Sequence, residues 1–255
     1  MARVIGDEAP TLILRKTTVD AVVFDMDGVV TQTATVHAAA WKTLFDAYLA
    51  AAEGGAAAGP FTQRDYLRHV DGKPRFDGVH DFLASRGLSL PWGDPSDPPE
   101  TKTVCGLGNR KDAHFHRLVE EQGVQAFPGT VTLIGELKRA GVRVAVISAS
   151  RNTGHILQKA GVRDLFEALV DDEVAARLGL PGKPHPAVFV EAARRVGALP
   201  ARTVVVEDAI AGVEAGRRGR FALVIGVDRG GNRAALAAAG ADVVVVDLAE
   251  VGVGD

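Results

Sequence analysis

The sequence predicts an α/β fold: a doubly wound (Rossmann-like) parallel-sheet core with an inserted α-helical cap domain. Three observations predict it. Five short, β-branched apolar runs each end in a polar or acidic residue, amphipathic segments separate them, and between Thr33 and about Gln125 the runs stop. Continuous rather than alternating apolar runs suit strands buried on both faces, as in a parallel sheet covered by helices.

Ala21 to Phe24 is the first strand, ending before Asp25. The strand pattern then gives way to segments that read as helices at His37 to Ala52, Gln63 to Val70, Val79 to Ser85 and Lys111 to Gln122. This insert leaves the core near Gly28 to Thr33 and returns near Ala126 to Gly129. The expected division is therefore a core of residues 1–32 and 126–255 and a cap of residues 33–125. Two stretches of the insert look loose: Ala50 to Pro60, rich in Ala and Gly, and Leu90 to Glu100, with four prolines. The later strands are Val142 to Ile147 before Ser148, Ala168 to Val170 before Asp171, Val204 to Val206 before Glu207, and Ala222 to Val227 before Asp228. Val243 to Val246 could add an edge strand. Helices are expected at Val131 to Ala140, Thr153 to Ala160, Pro186 to Val196 and Ile210 to Arg218. Open sheets of this kind bind ligands at the carboxyl ends of their strands, where the polar residues stand.

A chain of 255 residues with 47% hydrophobic content can bury a substantial core. Its formal charge of −3, without a basic run, argues against nucleic acid as a partner. The single cysteine, Cys105, excludes an internal disulfide framework, and no stretch reaches the ~20 apolar residues of a membrane span. Met1 to Pro10 does not read as a signal peptide, so a soluble cytoplasmic protein, and a monomer, is expected.

The strongest chemical signal is Phe24-Asp25-Met26-Asp27-Gly28-Val29-Val30-Thr31, an acidic pair at a strand end followed by a glycine turn. Alone, it also fits a turn in which an Asp caps the next segment. Glu207-Asp208, closing another strand run, can bring more carboxylate oxygen to the same edge. Such acids repel one another unless a cation intervenes, and hard oxygen ligands suit Mg²⁺. Ser148 offers a hydroxyl where the chain enters a helix, a seat for phosphate oxygens or simply a cap. Lys183, in Gly182-Lys183-Pro184-His185-Pro186, adds a cation, although the spacing of a P-loop is missing.

In this order, each after an apolar strand, the four elements resemble the haloacid dehalogenase superfamily over about Asp20 to Asp247. The resemblance implies that Asp25 is the nucleophile and Asp27 the acid/base. It also implies that Ser148, Ala149 and Lys183 hold the transferring phosphoryl group, and that Asp25, Asp27, Glu207 and Asp208 serve Mg²⁺. A carboxylate approaching a dianionic phosphate needs the metal and the Lys183 ammonium to offset like charge. Proton transfer through Asp27 is worth about 10²–10⁴-fold. Dehalogenases proper need neither the metal nor the second Asp, so dehalogenation is not expected.

A narrower likeness is to the β-phosphoglucomutase family. Thr33, His37 and Trp41 stand where that family has a Thr, a His and a Trp, and Asp71-Gly72-Lys73-Pro74-Arg75 resembles its substrate loop, with Gly72 and Arg75. Arg110-Lys111-Asp112 is similar to an Arg-Lys-Asn stretch, the last residue departing. Ser148-Ala149-Ser150-Arg151-Asn152 is similar to Ser-Ala-Ser-Lys-Asn, with Arg151 for Lys. Gln32 and Ala209 also depart from the usual residues. The resemblance implies interconversion of β-glucose 1-phosphate and glucose 6-phosphate through an aspartyl phosphate, with β-glucose 1,6-bisphosphate as intermediate and activator. An intermediate that turns end over end needs a second phosphate seat, for which Arg75, Ser150, Arg151 and Asn152 are suited. The alternatives are a Mg²⁺-dependent sugar-phosphate phosphatase sharing every core residue, and a non-catalytic binding protein, against which the self-repelling acids argue.

Overall fold

The computed structural model describes residues 10–51 and 59–255. Residues 1–9, read above as carrying no leader, and residues 52–58 of the Ala/Gly-rich stretch lie outside the described residues. Strand β1 (Leu12–Arg15) precedes β2 (Ala21–Asp25). The helical insert follows: α1 (Ala34–Ala51), the short α2 (Gln63–Asp65) running into a π-helical turn at Tyr66–Val70, α3 (Arg75–Ser85) and α4 (Val104–Gln122). The chain returns through α5 (Pro128–Arg139), β3 (Arg143–Ile147), α6 (Thr153–Lys159), β4 (Ala168–Val170), α7 (Asp172–Leu178) and α8 (Ala187–Arg195). It ends with β5 (Thr203–Glu207), α9 (Ile210–Arg218), β6 (Leu223–Val227), α10 (Arg233–Ala239), β7 (Val243–Val245) and β8 (Val251–Gly254).

Six strands pair in parallel in the order β4-β3-β2-β5-β6-β7, while β1 and β8 form a separate parallel pair. The chain builds outward from β2 in both directions, so the order reverses there, and the crevice at the carboxyl ends of β2 and β5 is where such sheets bind ligands. Strand residues alternate between two apolar layers. Val22, Phe24, Val144, Val146, Val204 and Val206 pack with Leu133, Ile134 and Leu137 of α5 on one face; Ala21, Val23, Ala145, Ile147 and Val205 pack with Phe189, Ala192 and Ala193 of α8 on the other. Burial on both faces is why these runs are continuous.

The insert has an apolar cluster of its own, centred on Trp41, Phe45, Phe61, Val79, Phe82 and Leu107. Its two connections to the sheet run side by side. The Gln32 N–H donates to the Gln125 carbonyl at 2.8 Å and the Phe127 N–H to the Val30 carbonyl at 2.9 Å. Arg229 fastens this crossing by donating from Nε to the Gly28 carbonyl at 2.8 Å and lying 3.6 Å over the Phe127 ring.

Candidate active site

Strand β2 ends at Asp25 and the chain turns at once. Gly28 has φ +81°, a conformation that side chains disfavour, and a Cβ there would run into the Asp208 carboxylate. The backbone therefore approaches the end of β5 closely. Asp25, Glu207 and Asp208 each offer a carboxylate oxygen, all lying within 4.8 Å of one another. The Lys183 ammonium reaches Asp25 Oδ1 at 2.5 Å and also pairs with Glu207. The second Glu207 oxygen accepts the Ala209 N–H at 2.7 Å.

All four side chains are buried, and their charges feel it. Burial pushes Asp25 well above the usual carboxylate range against the pull of Lys183, and the charges of Glu207 and Asp27 add to the push. Asp208 is driven the same way by burial and by Asp71, Glu207 and Asp25. Burial alone would lower Lys183, but the charges of Asp25 and Glu207 outweigh it and raise the ammonium above its ordinary value. One ammonium thus faces three buried carboxylates, and the negative excess on an all-oxygen donor set fits a hard divalent cation such as Mg²⁺.

Asp27, two residues on, is held by different partners. The Thr33 hydroxyl donates to Oδ1, the Ser148 hydroxyl donates to Oδ2 at 3.3 Å, and His37 Nε2 lies 3.3 Å from Oδ1. Burial would raise this carboxyl, but the pull of His37 and then the Thr33 hydrogen bond outweigh it and hold Asp27 at about 2. His37 itself is pushed down by burial and by the Lys111 charge, and the charge of Asp27 opposes that push. Its tautomer follows from Lys111, whose ammonium stands 2.6 Å from Nδ1 and leaves the ring proton on Nε2. Lys111 sits over the Trp41 and Phe115 rings at 5.1 and 4.9 Å, and burial lowers it to about 8.

The insert meets these groups through Asp71 to Arg75. Gly72 has φ +69°, and a Cβ there would lie 2.9 Å from the Ala209 Cβ, so the loop rests directly on the chain beyond Asp208. Asp71 is raised to about 7 by burial, opposed by a hydrogen bond from the Tyr66 hydroxyl. The π-helical turn sets that pair, because the Asp71 N–H closes on the Tyr66 carbonyl five residues back at 3.0 Å.

One pocket between the insert and the sheet is lined by Asp25, Asp27, His37, Trp41, Gly72, Arg75, Lys111, Ala149, Ser150, Arg151, Lys183 and Asp208, all singled out in the sequence. Thr33 and Ser148 stand behind Asp27, Glu207 stands behind Lys183, and Asn152 is bonded to Asp112. The sequence reading missed Tyr66, Asp71, Asp112 and Asp172, which line the same pocket. Asp172 follows a strand end as Asp25, Asp27 and Asp208 do, and Asp71 and Asp112 border the singled-out Gly72 and Lys111. Tyr66 had no signal, since nothing in the sequence announces a π-helical turn.

A family model described as haloacid dehalogenase-like hydrolase matches residues 19–220. A β-phosphoglucomutase of Mycobacterium bovis is 46% identical over 240 residues, 91% of each chain. A β-phosphoglucomutase of Bacillus subtilis is 30% identical over 208 residues, 81% of this chain and 83% of that one. Among solved structures, a β-phosphoglucomutase from Clostridium difficile superposes with a TM-score of 0.70 at 22% identity, covering 91% of this chain and 92% of that one.

Proposed function

The chain belongs to the haloacid dehalogenase-like hydrolases, within the β-phosphoglucomutase family, and on that premise we propose that it interconverts β-glucose 1-phosphate and glucose 6-phosphate. Residues 33–125 would act as a cap closing on a core of residues 1–32 and 126–255. The observation that carries the reading is that Arg75, Ser150 and Arg151 line the same pocket as Asp25, Asp27 and Lys183. A phosphatase needs one phosphate seat; a mutase working through a bisphosphate needs two.

In this reading the cycle starts with phosphorylated Asp25. The 6-hydroxyl of β-glucose 1-phosphate attacks that phosphorus, its proton passes to the ionised Asp27, and the bond from phosphorus to Asp25 breaks to give the 1,6-bisphosphate. The bisphosphate turns over, Asp25 attacks the phosphorus at C1, and the departing sugar oxygen takes the proton back from Asp27. Glucose 6-phosphate leaves and phosphorylated Asp25 is restored. Ser148, Ala149 and Lys183 hold the phosphoryl group in transit, while Thr33 and His37, fixed by Lys111, orient Asp27. Arg75, Ser150, Arg151 and Asn152 hold the phosphate that stays. Asp25, Asp208 and Glu207, with Asp27 through its backbone, would hold Mg²⁺, which supplies charge neutralisation at the phosphoryl oxygens. Trp41 and Gly72 shape the space for the sugar.

The test is product analysis from β-glucose 1-phosphate with and without a trace of the 1,6-bisphosphate. Bisphosphate-stimulated glucose 6-phosphate supports the mutase, whereas release of glucose and inorganic phosphate without isomerisation would move the assignment to a phosphatase.

A further inference from the structure

The cationic residue that the proposed second seat draws from the cap already has an anion. Arg75 Nη1 lies 2.9 Å from Asp112 Oδ2, with the Arg75 side chain only 14% exposed. The Asn152 side-chain amide donates to Asp112 Oδ1 at 3.0 Å. Arg75 begins α3 and Asp112 lies on α4, both in the insert, whereas Asn152 immediately precedes α6 on the sheet side. One carboxylate therefore gives an oxygen to each side of the crevice. Those are the contacts a phosphate would make with a guanidinium and an amide. The geometry is built in: at Gly108, one turn before Asp112, a Cβ would come within 2.7 Å of the Phe76 ring and 3.1 Å of Arg75 Cγ. Only a residue without a side chain lets α3 and α4 approach closely enough for Arg75 to meet Asp112. The Lys111 ammonium adds a further positive charge near this carboxylate, and the His116 ring lies 3.8 Å from it through Nε2.

We propose that Asp112 is an internal anion of the second phosphate seat, a specificity-determining residue that occupies Arg75 and Asn152 when no phosphate does and so sets how tightly the seat holds one. The proposal rests on reading Arg75 and Asn152 as that seat. An entering dianion must displace the carboxylate or share its donors with it, and either way like charge weakens the hold. Between substrates, the same carboxylate spares a mostly buried guanidinium from standing unpaired. A bisphosphate that must turn over within the pocket has to release this seat at every cycle. A resident anion that takes over the donors as the phosphate departs eases that release.

The experiment compares wild type, Asp112→Asn, Asp112→Ser and Arg75→Ala. It measures KM and kcat for β-glucose 1-phosphate, and the competitive inhibition constant of inorganic phosphate. Asn keeps the shape and removes the charge; Ser removes the bridge as well. Both Asp112 variants are expected to bind more tightly, with KM and the phosphate inhibition constant falling about tenfold and kcat falling with them as release slows. Unchanged or weaker binding in both Asp112 variants, alongside weakened binding in Arg75→Ala, would overturn the proposal and leave the seat standing. If Arg75→Ala binds as wild type does, the seat itself is misassigned and the proposal falls with it.

Discussion

Replacing Lys111 with Met separates the charge of a buried lysine from its shape. Lys111 is 4% exposed, faces two aromatic rings and donates to His37, and no carboxylate hydrogen-bonds its ammonium among the described residues. Burial brings its pKa down to about 8 from the ordinary 10.5, and at ~1.4 kcal/mol per pKa unit that gap corresponds to about 3 kcal/mol. Below pH 8 both folded and unfolded chains carry the proton, so the folded state bears the whole cost of the buried charge. Between about 8 and 10.5 the folded state releases the proton while the unfolded chain keeps it, so stability rises with pH across that window. Met has no proton to lose. Urea unfolding of both proteins should show wild type gaining about 2–3 kcal/mol on Lys111→Met between pH 7 and pH 10. The difference isolates the charge, because the packing change and the lost hydrogen bond to His37 contribute equally at every pH. Activity should fall at least about tenfold in the variant, since His37 loses the donor that keeps its proton on Nε2 facing Asp27. Stability curves that stay parallel from pH 7 to pH 10 would refute the reasoning.

Asp25→Asn should fold and bind sugar phosphate yet form no phosphoenzyme and no product; turnover within tenfold of wild type would remove Asp25 from the nucleophile's role. Exhaustive chelation should abolish activity, with added Mg²⁺ restoring it, and full activity in the chelated protein would contradict the role given to Asp25 and Asp208. Arg75→Ala removes charge-assisted hydrogen bonds of about 1.5–3 kcal/mol, so isomerisation should fall by about one to two decades while hydrolysis of a small monophosphate changes little. Equal losses in both reactions would favour a phosphatase.

The central sheet was legible because its strands are buried on both faces and had to be written as unbroken apolar runs. Its predicted ends fall within a residue or two of the observed ones. β1 and β8 escaped notice for the opposite reason. Leu12–Arg15 and Val251–Gly254 are short, and the second alternates valine with glycine; neither is a strand without the other, some 240 positions away in the chain. The seven-residue α7 and α10 also escaped notice, because each buries a single residue, Ala175 and Leu236, and so carries no apolar face to read. Helix α4 starts at Val104, not near Lys111, because Gly106 and Gly108 weaken the local helical signal. Packing overrides that weakness: position 106 faces the Thr101 carbonyl and position 108 the Phe76 ring, so side chains there would prevent the contact that holds the helix. In the site, the residues tied to the ends of β2, β3 and β5 could be found by position alone. The insert's contributions could not, since a carboxylate such as Asp71 reaches the pocket only through a π-helical turn and a glycine pressed against Ala209.

The buried charges on the two sides of the crevice explain each other. On the core side, burial and mutual repulsion raise Asp25 and Asp208; on the insert side, burial raises Asp71 to about 7 and lowers Lys111 to about 8. The direction of each shift follows from burial, reinforced on the core side by like charge. Proposed ligands bring what is lacking: a cation for the carboxylates, and phosphate dianions for Lys111, Lys183 and Arg75. Lys183 already pairs with Asp25, and Arg75 with Asp112, so these two are held in place by carboxylates where phosphate is to sit. A site arranged this way has borne the cost of aligning its charges during folding, before substrate arrives. What remains is to exchange one anion for another around cations already in position, and charges fixed in this way lower a phosphoryl-transfer barrier.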